Sequence, residues 1–215
     1  MLLKWHLGVP LIPEPWAGMP CPLNCGEALD PFGDHLVCCG KNKLWQRHLG
    51  IQQFISRCLQ SRGLPHKLEQ SSMADLKRDA DILLPRWENG ADWAIDVGVC
   101  HPIPTSDPNG TVKSSLDRLS NRALRKEVKY GPRCKEQNIR FFPLVLSTWG
   151  SFAPGSEHLW RTLCRRMVIR FGGVERSKDF EELSQGLSHA LMAGVAAQLQ
   201  SVSLARERAF ATNHA

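Results

Sequence analysis

The sequence that decides the fold runs from Arg78 to Val99 and reads RDADILLPRWENGADWAIDVGV. It contains two apolar runs typical of β-strands, and each includes one acidic residue, Asp81 in the first and Asp96 in the second. Between the runs lies Asn89-Gly90, a dipeptide typical of a tight hairpin turn. We therefore predict two neighbouring antiparallel strands in this part of the chain.

The two acidic residues predict a divalent-metal site. A carboxylate among Val, Ile and Leu residues is costly to bury unless it has a partner, and a metal ion is a common partner. Side chains that oppose each other across a hairpin share a face of the sheet, so Asp81 and Asp96 are expected on the same side. They would offer the hard oxygen ligands that Mg²⁺ prefers, with Glu69 as a candidate third carboxylate. The alternatives are that Asp81 caps a turn and that Asp96 pairs with a buried arginine.

A basic helix is predicted after the two strands, over about residues 113–130. Lys126 and Lys129 share a face of it with Arg122 and Arg133, because residues three and four apart are neighbours on a helix. A metal-dependent hydrolase needs a cation to position water and to offset charge on a phosphate, so both lysines are catalytic candidates. The alternative is a solvated basic face. The apolar positions expected to pack on the sheet are Leu116, Leu119, Ala123 and Leu124.

A Cys/His cluster near the start of the chain predicts a structural zinc site. Cys21, Cys25, His35 and Cys39 supply three thiolates and one imidazole, which is a complete tetrahedral set. The segment is rich in Gly and Pro and too short to build a core of its own, so a metal would hold it together. Cys38 is an alternative to Cys39 as the fourth ligand.

Composition favours an anionic partner. The chain has a formal net charge of +6 and a pI near 9.0, and the positive charge is concentrated in residues 113–140 and 161–170. No apolar run approaches the roughly 18 residues that span a bilayer, and the first residues lack the features of a secretory signal. We therefore expect a soluble intracellular protein with no membrane partner.

The order of predicted elements divides the chain into four segments. The fold class expected is α/β, a mixed sheet flanked by helices, with an N-terminal zinc knuckle and C-terminal helices. The predicted segments are a linker over 1–20, a CCHC zinc knuckle over 21–42, an α/β domain over 43–176 and a helical extension over 177–215.

Several short motifs follow one another along the chain: Cys21-x3-Cys25, Gly33-Asp34-His35-x3-Cys39, Arg47-His48, Arg78-x-Ala80-Asp81-Ile82-x-Leu84-Pro85-x-Trp87, Asp96-Val97-x-Val99 and Lys126-x2-Lys129-Tyr130. This order resembles the C-terminal region of non-LTR retrotransposon polyproteins. In that family a Cys/His zinc knuckle follows the reverse transcriptase and precedes a restriction-like endonuclease of the PD-(D/E)xK class. One departure is Asp79, which stands where the family usually has proline.

The resemblance implies a restriction-endonuclease-like fold and a Mg²⁺-dependent endonuclease that nicks DNA. It places the metal on Asp81 and Asp96 and the catalytic lysine at Lys126 or Lys129. The nucleic-acid contacts expected from it are Arg47, His48, Arg122 and Arg133. The implied partners are DNA, RNA and a larger polyprotein that contains a reverse transcriptase, and the implied location is nuclear or elsewhere inside the cell. The alternative function is a catalytically inactive zinc-containing domain that binds nucleic acid.

Overall fold

A computed structural model describes residues 2–68, 80–103, 114–169 and 177–213 of the chain. The helices are α1 (Leu2–His6), α2 (Asp34–Cys38), α3 (Leu44–Ser61), α4 (Ser115–Glu136), α5 (Ser156–Ile169) and α6 (Ser177–Asn213). The strands are β1 (Lys67–Leu68), β2 (Ile82–Glu88), β3 (Ala91–Cys100) and β4 (Ile139–Ser147). Glu69 and Asp79 lie outside the described residues. None of the described helices is both long and apolar enough to cross a membrane.

The four strands form one mixed sheet in the order β1-β2-β3-β4. The first three strands pair antiparallel, whereas β3 and β4 pair parallel. The predicted hairpin between β2 and β3 is confirmed: Asn89 and Gly90 both have positive φ, 50° and 77°, as a two-residue type I′ turn requires. The predicted α/β class, with a mixed sheet flanked by helices, is therefore confirmed.

A bulge interrupts β2 close to the hairpin turn. The register with β3 shifts between Leu84 and Glu88, and Arg86 within this interval has a left-handed backbone with φ of 47°. The Arg86 N–H donates to Asp92 Oδ1 on β3 at 2.8 Å, which holds the bulge in place. Bulges of this kind redirect side chains away from the regular alternation of a strand.

Helices cover both faces of the sheet. One face carries the main hydrophobic core, to which β2 and β3 contribute residues such as Ile82 and Ile95, packed with side chains of α3, α5 and α6. The other face is covered by α4, through two smaller clusters that include Leu119 and Cys134. Asp96 on β3 and Asp81, the residue before β2, therefore belong to the middle layer of three: helices on one face, the sheet, and α4 on the other face.

The side of α4 that faces the sheet differs from the prediction. Leu119 is buried, but Leu116 is 53% exposed and Leu124 is 60% exposed, so the predicted packing of these two residues is wrong. The sheet-facing line of α4 instead includes Tyr130 and Cys134, which pack with β4 residues. Lys126 falls on this same line at helical spacing, and its side chain is therefore directed toward the sheet.

The end of α4 also differs from the prediction. The helix was expected to end at about residue 130, before Gly131-Pro132, yet it continues through Pro132 to Glu136. Proline removes one intrahelical hydrogen bond, and here the loss falls only one turn from the helix end, where few bonds depend on it.

One hydrophobic core joins the four predicted segments. Trp5 from the first twenty residues, Leu36 from the knuckle and Leu187 from α6 belong to the same core cluster as the strand residues. Trp5 is only 4% exposed, so residues 1–20 do not behave as a loose linker around this position. The predicted segment boundaries thus do not separate independent packing units.

Helices α3 and α6 approach each other closely at Gly194 of α6. A Cβ atom added to Gly194 would lie 2.7 Å from the Arg47 Cα, which is backbone and cannot move aside cheaply. We expect Gly194→Ala to destabilise the protein by about 1–3 kcal/mol through overpacking, despite the better helix propensity of alanine. The measurement is the free energy of unfolding in denaturant.

The matched control is Gly50→Ala within α3. There the added Cβ lies 3.5 Å from Ala190 O, which is ordinary van der Waals contact. Gly50→Ala is expected to leave stability unchanged or to raise it by up to about 1 kcal/mol. Equal effects of the two substitutions would contradict the close α3–α6 contact.

Candidate functional site

The four predicted zinc ligands are brought together. The ligand atoms of Cys21, Cys25, His35 and Cys39 all lie within 4.8 Å of one another. The Cys21 and Cys39 sulfurs are 4.0 Å apart, and the Cys25 sulfur lies 3.2 Å from His35 Nε2. A tetrahedral zinc site with Zn–S bonds of about 2.3 Å requires sulfurs about 3.8 Å apart, so this donor set fits zinc.

The structure favours Cys39 over Cys38 as the fourth ligand. The sulfur of Cys39 belongs to the ligand cluster and that of Cys38 does not. Burial raises the pKa of the Cys21 thiol to about 12, whereas a hydrogen bond from the Glu27 N–H is the main cause of the lowered Cys25 pKa. Metal binding must therefore displace a tightly held proton from Cys21, which makes zinc affinity pH-dependent.

Local sequence explains why these ligands converge. Gly26 and Gly33 adopt positive φ values of 91° and 84°, which glycine accepts without a side-chain penalty. Asp30 then caps the short helix α2, because its Oδ2 accepts from the His35 N–H at 2.6 Å and its Oδ1 accepts from the Asp34 N–H at 3.1 Å. These turns and the cap fix the His35 ring near the cysteines.

A polar cluster that was not predicted from the sequence connects the knuckle to α1 and to the end of β3. Asp34 Oδ1 accepts from the Trp5 indole N–H at 3.1 Å and lies 3.3 Å from His101 Nε2. His101 is buried at the end of β3, and its Nδ1 lies 2.7 Å from Thr148 Oγ1. Burial acts to raise the pKa of Asp34, but the hydrogen bond and charge of His101 outweigh it and lower that pKa.

Arg47 occupies an interior position. It is 4% exposed, and its guanidinium donates to Val37 O at 3.3 Å and to Gln198 Oε1 at 3.1 Å. The side chain thus connects the knuckle, α3 and α6. This placement does not support the prediction that Arg47 contacts nucleic acid, because the side chain is buried and a nucleic acid cannot reach it.

The two acidic residues of the hairpin face each other. Ile82 pairs with Ile95, so the next residues outward, Asp81 and Asp96, are opposed, and the Asp81 N–H donates to Ile95 O at 2.9 Å. Their carboxyl groups are close enough to share a hydrogen bond. The expectation that both carboxylates lie on one side is therefore met by the geometry. We call these two residues the acid pair.

Two cationic or ionisable side chains flank the acid pair. Lys126 Nζ lies 2.5 Å from Asp96 Oδ2, and both side chains are largely buried. His48 Nε2 lies 3.0 Å from Asp81 Oδ1, while the Val97 N–H donates to Asp81 Oδ2 at 2.6 Å. Each carboxylate therefore has a partner on a different helix, Asp81 on α3 and Asp96 on α4.

The environment gives the two carboxyl groups different proton affinities. Burial raises the pKa of Asp96 to about 6; Asp81 adds to this rise, while Lys126 opposes it. Burial also acts to raise the pKa of Asp81, but the hydrogen bond and charge of His48 outweigh it and lower that pKa. Asp96 is thus the member of the acid pair that holds the proton when the two share one.

The structure distinguishes between the two candidate lysines. Lys126 contacts Asp96 directly, whereas Lys129 is exposed and its ammonium lies 4.7 Å from the centre of the Tyr130 ring. A hydrogen bond with Tyr130 is the main cause of the raised Lys129 pKa, and the charge of Asp96 adds to it. Lys126 is therefore the lysine that the fold places at the acid pair.

Gly98 on β3 makes room for the Lys126 side chain. A Cβ atom at Gly98 would lie 2.7 Å from Lys126 Cε and 3.2 Å from Val145 Cγ2. The main clash falls on the flexible end of lysine, so we expect Gly98→Ala to displace Lys126 from Asp96 at little cost in stability. Because Lys126 lowers the Asp96 pKa, this pKa should rise further in the variant. Carboxyl-carbon NMR titration measures it, and an unchanged Asp96 pKa would contradict this role of Gly98.

The other residues predicted to contact nucleic acid are Arg122 and Arg133 on α4 and His48 on α3. Arg122 is exposed on α4, and Arg133 is half-buried one turn beyond Lys129. His48 was predicted as a nucleic-acid contact, and it lies instead against Asp81. The signal that could have indicated this placement is the i, i+4 spacing of His48 and Gln52, since the Gln52 amide donates to Asp81 O at 2.8 Å.

Comparisons with known proteins identify no relative. No protein-family model matches the chain, and a search of curated proteins finds no significant match.

Proposed function

We propose that this protein is a metal-dependent DNA endonuclease that hydrolyses a phosphodiester bond at the acid pair. The observation that carries the proposal is the opposition of Asp81 and Asp96 on adjacent strands, with Lys126 Nζ 2.5 Å from Asp96. Two carboxylates and a lysine in one place form the minimal set for metal-assisted hydrolysis of a phosphoester. The order of these residues in the sequence also resembles the restriction-like endonuclease region of non-LTR retrotransposon polyproteins.

The donor set of the acid pair fits Mg²⁺. Both carboxylates offer hard oxygen ligands. Burial is the main cause of the raised Asp96 pKa, and the negative charge of Asp81, which a divalent cation would neutralise, adds to it. Asp81 and Asp96 would hold the ion, which would polarise the phosphate and lower the pKa of a water molecule. Lys126 would offset charge that develops on the phosphate, and His48 together with the Val97 N–H holds Asp81 in orientation.

The rest of the chain supports a nucleic-acid substrate. α4 carries exposed basic residues beside Lys126, among them Arg122, Arg125 and Lys129. Basic side chains on one helix neutralise phosphates and release counterions, which supplies sequence-independent affinity for DNA or RNA. In this proposal the zinc knuckle is structural, because the protein fills all four ligand positions.

A second candidate function is a catalytically inactive domain that binds nucleic acid. It is favoured by the ion pairs at the acid pair, since His48 and Lys126 already contact both carboxylates without a metal. In this case Asp81 and Asp96 would join α3 and α4 to the sheet. The basic surface of α4 would act in the same way in both functions.

Plasmid nicking distinguishes the two functions. Purified protein is incubated with supercoiled plasmid in Mg²⁺, in Mn²⁺ and in EDTA, and DNA binding is measured in the same buffers. The endonuclease proposal predicts conversion to open circles only with a divalent metal. DNA binding without nicking in either metal would favour the inactive domain.

A further inference from the structure

A second cleft lies at the far end of β2 from the acid pair. Its volume is about 790 Å³, which is within the range of small-ligand sites, and its apolar walls are Leu64, Pro65, Pro85, Trp87 and Ile169. Two arginines, Arg86 and Arg166, complete the lining. Its lining includes none of Asp81, Asp96, His48 and Lys126, so this cleft is distinct from the acid pair.

The bulge in β2 supplies one of the two arginines. Arg86 has a φ of 47°, a conformation that residues other than glycine rarely adopt, and the bond from its N–H to Asp92 Oδ1 holds it there. A regular strand would alternate Pro85, Arg86 and Trp87 between the two faces of the sheet. The bulge instead brings all three residues to the lining of one cleft.

The other arginine forms a flat surface with tryptophan. The Arg166 guanidinium lies 5.2 Å from the centre of the Trp87 ring, within the range of a cation–π contact. Trp87 is 3% exposed, and among the described residues its indole N–H has no hydrogen-bond partner. The cleft thus combines apolar walls with two guanidinium groups, and the Arg166 guanidinium lies over an indole that is itself buried.

We propose that this cleft binds one unpaired nucleotide of a nucleic-acid strand. The base would stack on the Arg166 guanidinium, which the buried Trp87 ring supports from behind, and the phosphate would bond to Arg86. Guanidinium groups match phosphate geometry through paired N–H donors, and nucleobases stack on arginine planes. An acidic peptide would also suit the charge. The apolar walls beside the two guanidinium groups favour a planar base with one phosphate instead.

This inference goes beyond the endonuclease proposal and does not depend on it. The acid pair cuts a strand, whereas the second cleft would hold a base without chemistry. Nucleotide binding at the cleft is therefore expected in EDTA, and it is expected to survive Asp96→Asn. A protein that fails to nick DNA but binds nucleotide in this cleft would overturn the endonuclease proposal alone.

The test measures binding of deoxyadenosine monophosphate to the full chain by calorimetry in EDTA. Arg86→Gly removes one guanidinium while glycine accepts the positive φ, and Arg166→Gln removes the other. Lys4→Gln, exposed on α1 and outside the cleft lining, is the control for loss of one positive charge. We expect each cleft variant to weaken binding at least tenfold and the control to change it less than twofold.

Photocrosslinking locates the base in the wild-type protein. A short single-stranded oligonucleotide with one 5-iododeoxyuridine is irradiated with the protein, and the adduct is mapped by mass spectrometry. We expect the adduct at a residue of the cleft lining, such as Pro85 or Ile169. The proposal is overturned by the absence of saturable nucleotide binding, by equal affinity for inorganic phosphate, by tighter binding of an acidic peptide, or by equal binding in all variants.

Discussion

Cys39→Ser is expected to abolish zinc binding, whereas Cys38→Ser is expected to retain one zinc per chain. The two cysteines are adjacent, but only the Cys39 sulfur belongs to the cluster with Cys21, Cys25 and His35. Serine cannot replace a thiolate ligand at a structural zinc site without a large loss of affinity. Cys38→Ser also replaces a thiol with a hydroxyl, one residue away. It is therefore the control for loss of a thiol that does not bind zinc.

Loss of zinc should also reduce the stability of the whole chain. Cys21, Leu36 and Cys39 belong to the same hydrophobic core as the sheet and α6, so the knuckle cannot unfold without exposing that core. Binding energies of structural zinc are about 10–16 kcal/mol at neutral pH, and much of this supports folding. Metal analysis gives the zinc content, and thermal unfolding gives the stability. Equal zinc content in both serine variants would contradict the proposed ligand set.

The hairpin and the zinc ligands could be predicted from sequence because both depend on local spacing. Asn89-Gly90 determines a two-residue turn, and an even-membered turn puts Asp81 and Asp96 on the same face of the sheet. The bulge between Leu84 and Glu88 was not predicted, and its two-residue shift of register is what brings Asp81 opposite Asp96. The knuckle ligands lie within nineteen residues and meet through tight turns. In both cases few long-range contacts are needed to bring the residues together.

The roles of Arg47 and His48 could not be predicted in the same way. They are consecutive on α3, yet Arg47 faces α6 and the knuckle, whereas His48 faces Asp81. A helix places consecutive residues about 100° apart, so the packing of the neighbouring layers decides which one is buried. That packing joins residues separated by up to 151 positions in the chain, as between Arg47 and Gln198.

The orientation of α4 was missed for a related reason. The sequence shows leucines at 116, 119 and 124, and hydrophobicity alone favours packing all three on the sheet. In the structure the sheet surface at this point includes the acid pair, so the helix turns Lys126 inward and leaves Leu124 exposed. The ion pair with Asp96 lets a lysine lie at a largely buried position.

Asp96→Asn is expected to reduce DNA nicking by about 10³-fold or more, because it removes one of the two carboxylates that would hold Mg²⁺. DNA binding should persist, and it should strengthen slightly because one negative charge near the phosphate is lost. Divalent metal should raise the melting temperature of the wild-type protein but not that of the variant, since a ligand that binds only the folded state stabilises it.

The same substitution should change how the metal-free protein responds to pH. The folded-state pKa of Asp96 is raised to about 6, above the value of about 3.9 in an unfolded chain. The folded state therefore holds this proton more tightly, and stability is lost as pH rises from about 4 through 6. Asp81, whose pKa is lowered, acts with the opposite sign and only below about pH 4. Unfolding in EDTA between pH 4 and 7 should show a smaller decrease for Asp96→Asn than for the wild type.

Single-turnover nicking of supercoiled plasmid at saturating protein tests the central claim most directly. Wild type, Asp96→Asn and Asp92→Asn are compared in Mg²⁺, with DNA occupancy matched by a binding assay. Asp92 lies four residues away on the same strand, and Asp92→Asn keeps the side-chain oxygen that accepts from the Arg86 N–H. The account predicts nicking by the wild type and Asp92→Asn and its loss in Asp96→Asn. Equal nicking by all three proteins, or none by the wild type in either Mg²⁺ or Mn²⁺, would contradict catalysis at the acid pair.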